Sequence, residues 1–144
     1  MRSSRLALAV VLACCVWGAA HLWSATDERT IMETMVDPSA ILIWRSVSTI
    51  VTTDEVVETF PRSDEEWNTL RKAAVRLAEG GRLLKRTRPR VANRDWLKWS
   101  QAIVDAADAT IKAVEDRSPE RVFDAGQRIY ETCVGCHGGY SMMR

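Results

Sequence analysis

Four runs of apolar residues recur at three- and four-residue spacing, three of them behind clear capping residues, and no alternating run of useful length competes with them. That pattern commits most of the chain to amphipathic helices. Asp37-Pro38 supplies an N-cap with proline at the first helical position, and Ala40, Ile43, Trp44, Val47 and Ile50 follow on one face. A short helical turn over residues 29–36 precedes it, with Pro38 marking a kink or a break. Ser63-Asp64-Glu65-Glu66 is a capping box, and Trp67, Leu70, Ala74, Leu77, Gly81 and Leu84 form the stripe behind it. The apolar period runs through Gly80-Gly81, which therefore mark a close approach of two helices rather than an end. A third helix starts near Asn93 and buries Trp96, Trp99, Ile103, Ala107, Ile111 and Val114. Ser118 and Pro119 open the fourth, whose face is Val122, Gly126, Ile129, Cys133 and Cys136/His137. Short connections between four such helices predict an all-α fold, an antiparallel up-down-up-down four-helix bundle.

The chain has 144 residues, enough for one domain and its core. Residues 1–23 read as a leader: Arg2 and Arg5 form a positive start, residues 6–17 are apolar, and Gly18-Ala19-Ala20 are the small residues a signal peptidase needs. Cleavage after Ala20 gives a soluble exported form. Val11-Leu12-Ala13-Cys14 resembles a lipobox, which would lipidate Cys14, and an uncut run over residues 6–23 is marginal for one membrane span. All three place the domain of residues 24–144 outside the cytoplasmic membrane, in the periplasm, soluble or tethered. Lys and Arg total 20 against 19 Asp and Glu, a balance that excludes the strongly basic footprint of a nucleic-acid binder.

Two of the four cysteines, Cys14 and Cys15, lie inside the leader. The other two belong to Cys133-Val134-Gly135-Cys136-His137, a Cys-x-x-Cys-His at the end of the fourth helix. On a helix, positions three and four residues on from Cys133 project from the same face, so two thiols and an imidazole converge there. This spacing lets the thiols add to two haem vinyl groups while His137 ligates iron, giving one covalently attached haem c. A thioredoxin-type pair would want a βαβ context, and the sequence lacks one. A zinc site would need two further ligands, whereas the only other histidine is His21 in the leader. Six tryptophans suit a core that wraps a large flat group, although tryptophan also serves as ordinary core filler.

With this motif at the extreme C-terminus of a helical chain, and Tyr140 three residues beyond it, the sequence resembles the class II c-type cytochromes, the cytochrome c′-like family. The resemblance covers residues 29–140 and departs at Ser141, where the family often places a basic residue. It implies that the start of the first helix covers the far face of the haem. A methionine there makes a six-coordinate electron carrier; a bulky apolar residue leaves a five-coordinate iron that binds nitric oxide or carbon monoxide. Met32, following Arg29, matches the family's distal position loosely, and counting back from Ala40 and Val36 reaches it if the helix crosses Pro38. If the helix breaks there, Met35 is as good. The structural alternative is that both methionines are apolar filler. A one-electron carrier, not an enzyme, is the expectation, with Met32 on iron and Met35 as runner-up. Helix-face pairing in the family implies a homodimer as one arrangement.

Up-down-up-down topology would bring the connection between the second and third helices to the haem end. That connection holds Arg82, Lys85, Arg86, Arg88, Arg90 and Arg94 with no acid between them. The opposite end receives Asp54, Glu55, Glu58, Asp64, Glu65 and Glu66. A solvated loop explains both runs. Alternatively the basic collar steers an acidic redox partner, touches a membrane surface, or lends Arg88 or a neighbour to the haem propionates. Trp96 and Trp99 open the third helix at the same end and are candidates for packing against the haem.

Overall fold

A computed structural model describes residues 27–87 and 95–140; the leader, Asn93, Arg88, Arg90, Arg94 and Ser141 lie outside the described residues. The described chain is mostly helical. Helix α1 (Glu28–Ile31), a wide π turn (Met32–Val36) and α2 (Asp37–Ser46) run on as one rod. A hairpin of β1 (Ser48–Val51) and β2 (Val56–Thr59) follows, then α3 (Asp64–Leu84), α4 (Trp96–Glu115) and α5 (Pro119–Tyr140).

The caps at Asp27, Ser63 and Ser118 act as their residues dictate. Asp37, expected as an N-cap, is instead helical at φ −59° and lies inside a continuous rod, where its side chain caps nothing. Asp27 accepts from the Thr30 N–H to start α1. Ser63 accepts from the Glu66 N–H at 3.2 Å while the Glu66 carboxylate takes the Ser63 and Arg62 N–H groups at 2.9 and 2.7 Å, a complete reciprocal box at the head of α3. Ser118 Oγ accepts from the Arg121 N–H to open α5. The turn before it places Arg117 in the left-handed region at φ 50°, with the Ser118 N–H reaching back to the Ala113 carbonyl.

Long-range contacts fix which helices pack together, and the two ion pairs between α3 and α4 show that these two run in opposite directions. Val36 and Thr34 of the first rod meet Gly80 and Arg76 of α3. Arg71 and Arg82 of α3 pair with Glu115 and Asp108 of α4 at 3.7 and 3.5 Å. Trp44 Nε1 donates to the Gly126 carbonyl of α5 at 2.9 Å. The ion pairs are half-exposed and each contributes at most about 1 kcal/mol. The core between the helices, built on Ile31, Val36, Ile43, Leu70, Leu77 and Ile129, carries the stability. Each such side chain contributes about 1.5–3 kcal/mol on burial. Gly80 and Gly81 are close-approach points: a Cβ at either would fall 2.9 Å from Val36 Cγ2 or 2.8 Å from Val104 Cγ2.

The fold departs from the sequence expectation in three places. Val47 and Ile50 do not continue the first helical stripe. The rod ends at Ser46, Val47 turns extended at φ −139°, and Ile50 lies in β1. The cause is the run Val47-Ser-Thr-Ile-Val-Thr-Thr53, β-branched at six of seven positions and so biased to a strand. Second, Pro38 does not break the rod, which stays helical through it. Its missing N–H is absorbed by the π turn, where the Asp37 N–H reaches the Met32 carbonyl and Arg76 of α3 donates to the Thr34 carbonyl at 3.0 Å. Third, the extra residue of that turn slips the register by one. The core position counted back from Ala40 and Val36 is filled by Ile31, only 1% exposed, and not by Met32, which is half-buried beside it.

Candidate functional site

Unbroken helix through Tyr140 holds the Cys-x-x-Cys-His motif on the last turns of α5. Cys133, Cys136 and His137 therefore share one face, as an i, i+3, i+4 set must. Both thiols are free and half-buried, and His137 is exposed. Burial pushes the Cys133 thiol above the ordinary value of 9.0, and the nearby Asp37 carboxylate and Cys136 push it further. Burial alone raises Cys136. Both groups are neutral thiols at neutral pH, held one turn apart on a rigid element.

The flanks of the motif differ. On one side Trp99 of α4 packs directly against the backbone of Gly135, close enough that any Cβ there would overlap its six-membered ring. Gly135 thus admits the indole, and Lys98 Nζ lies 4.7 Å from the centroid of the same ring. On the other side the motif faces the first rod, where Asp37 approaches Cys133. Trp44 meets Gly126 seven residues from each of these, so rod and helix keep level in opposite directions. The same count carries Met32 to the turn of α5 that holds His137.

The two methionines are separated by the π turn. Met32 lies one wide turn before Asp37, packed at the border of the core. Met35 turns toward α3, its Cβ 3.4 Å from where a Cβ on Gly80 would stand. Trp96 is half-buried against the core, and its Nε1 donates to the Leu84 carbonyl at 2.8 Å, tying the end of α3 to the start of α4. Of the basic collar, Arg82 is engaged with Asp108 and Lys85 with Gln101, while Arg86 is exposed. Arg88, the candidate for the haem edge, lies outside the described residues.

Two participants have no signal in the sequence. Asp37 reads there as a helix cap, and only the packing of the first rod on α5 brings it to Cys133. The Trp99–Gly135 contact is equally long-range; its only local trace is a glycine inside the motif. Among the described residues no cluster of three or more His, Cys, Asp or Glu side chains is placed to hold a bare metal ion. No helix among them is long and apolar enough to cross a membrane. The donor set fits haem c: two free thiols one turn apart for thioether bonds, and an exposed imidazole on the following residue for iron. No family model, no curated protein and no solved structure matches the chain.

Proposed function

We propose that the chain is an exported monohaem c-type cytochrome of the class II kind, a one-electron carrier built on an antiparallel four-helix bundle. Cys133 and Cys136 would hold haem c through thioethers and His137 would ligate its iron. The observation that carries the reading is the motif itself, two free thiols and an exposed imidazole on one face of the final turns of an unbroken helix. Opposite running of α3 and α4, and of the first rod and α5, supports the bundle. When bound, the haem supplies a centre that takes up and returns a single electron.

The chain's own residues then have distinct tasks. Trp99 and Gly135 close one flank of the motif and exclude water from it. The first rod covers the other flank, and Met32 is its best candidate for a sixth ligand because it lies at the level of His137, whereas Met35 turns toward α3. The Met32 thioether and the His137 imidazole, both holding the haem, would favour its reduced state and suit electron relay. Arg86 and its neighbours at the end of α3 lie at the motif end of the molecule, where positive charge steers an acidic redox partner.

Absorption spectra of the oxidised and reduced protein, before and after carbon monoxide, test this. Haem is expected to stay with the chain through acid–acetone extraction, and to be lost from the Cys133→Ala/Cys136→Ala variant. The spectrum is expected to be low-spin and unmoved by the gas. Extractable haem overturns the cytochrome reading. A high-spin spectrum that shifts with carbon monoxide replaces the carrier with a five-coordinate gas binder.

A further inference from the structure

The hairpin at the end of the molecule remote from the Cys-x-x-Cys-His motif has no place in electron transfer, and its chemistry points elsewhere. Its register pairs Ser48 with Thr59, Thr49 with Glu58, Ile50 with Val57 and Val51 with Val56. The Thr52 N–H donates to the Glu55 carbonyl at 2.9 Å, closing the turn. Hydrogen-bonded and non-bonded pairs alternate along an antiparallel ladder, so Ile50 and Ser48 face β2 while Thr49 and Val51 turn their N–H and C=O groups outward. Among the described residues no other backbone group takes them.

That free edge carries none of the usual protections. Residues 47–53 contain no charge, no proline and no glycine. Apolar side chains stand in solvent on both faces, with Ile50 56% exposed, Val51 73% and Val56 61%. Two strands alone are marginal in water, and further strands are what stabilises such a ribbon. The opposite edge is different in kind: β2 contains Glu58, with Asp54 and Glu55 at its turn. Self-pairing of β2 would bring like charges together, whereas β1 opposed to itself meets no charge at all.

We propose that β1 pairs antiparallel with β1 of a second copy of this chain, about a two-fold axis through Ile50. Thr49 and Val51 of one copy exchange N–H···O=C bonds with the partner's Val51 and Thr49, making four bonds, and the two Ile50 side chains meet at the centre. The product is a closed four-stranded sheet, β2-β1-β1-β2, whose outer edges are the acidic β2 strands. Both motif ends remain free. The proposal is independent of whether haem is bound.

Sedimentation velocity of the purified full chain over a range of concentrations tests it. The expected result is a monomer–dimer equilibrium with the Val51 amide protected from hydrogen exchange in the dimer. Thr49→Pro removes an N–H that the hairpin itself does not use, so it is expected to abolish the dimer and expose the Val51 amide while leaving the helical circular dichroism intact. Ile50→Lys, which opposes two like charges across the axis, is expected to abolish it independently of any effect of proline on folding. A wild-type chain that stays monomeric throughout, a dimer that persists in either variant, or growth beyond two copies overturns the proposal.

Discussion

The first rod and α3 lie side by side, yet only α3 keeps the period its sequence announces. From its capping box to Leu84, α3 buries Trp67, Leu70, Ala74, Leu77, Gly81 and Leu84, the stripe expected of an uninterrupted α-helix. The first rod loses count by one residue between Ile31 and Val36. The difference lies in where each helix finds its hydrogen-bond donors. All donors inside α3 come from its own backbone, and its first turn is capped locally. Pro38 removes a donor from the first rod, and the Thr34 carbonyl is satisfied by Arg76, a side chain of α3. A helix that closes on itself obeys its local pattern; one that borrows a donor takes its register from the neighbour that lends it.

The sharpest way to break this comparison is to truncate the two residues that compete for the buried position. Ile31→Ala is expected to lower unfolding free energy by about 2–5 kcal/mol, as large-to-small changes in a close-packed core do. Met32→Ala, at a half-buried site, is expected to cost clearly less. Denaturant titration of both variants decides it, and a larger loss in Met32→Ala would return the rod to an α register.

A smaller effect is expected where the two rods touch. Gly80→Ala gains helix propensity of about 1 kcal/mol but drives a methyl group to 2.9 Å from Val36 Cγ2. Overpacking of this kind costs about 1–3 kcal/mol, so the net result is expected to be destabilising by roughly 1 kcal/mol. A stabilised Gly80→Ala, read from the thermal midpoint, would mean that the rods are not held as close as they stand here.

The smallest effect belongs to the cap of α3. Backbone N–H groups of Arg62 and Ser63 hold the Glu66 carboxyl below its ordinary value of 4.5. Because the folded value is the lower one, the stabilisation is complete above the ordinary value and is lost as pH falls toward and through the folded value. Acid unfolding followed by circular dichroism is therefore expected to be shallower in Glu66→Gln than in the wild type. Identical profiles would show that the box contributes nothing to the contrast between the two rods.

Much of the molecule is legible without coordinates wherever the signal is local. Ser63, Glu66, Ser118 and Pro119 mark helix starts by the chemistry of the first turn, and the close approach at Gly80-Gly81 follows from a stripe that passes through them. The motif is legible for the same reason, since helical spacing alone sets Cys133, Cys136 and His137 on one face. The hairpin is masked by the helical period because Val47 and Ile50 fall in phase with the stripe before them. Its trace was composition: six β-branched residues in seven.

The sequence by itself determined most of the helical segments, the caps at Ser63 and Ser118, and the thiol–thiol–imidazole face from which haem c is proposed. All of these depend on residues within a few positions of one another. Only the tertiary structure decided that Ile31 and not Met32 enters the core, that Asp37 approaches Cys133, and that Trp99 closes over Gly135. Those outcomes depend on partners tens of residues away, and no local period encodes the donor that Arg76 supplies or the space that Gly135 leaves.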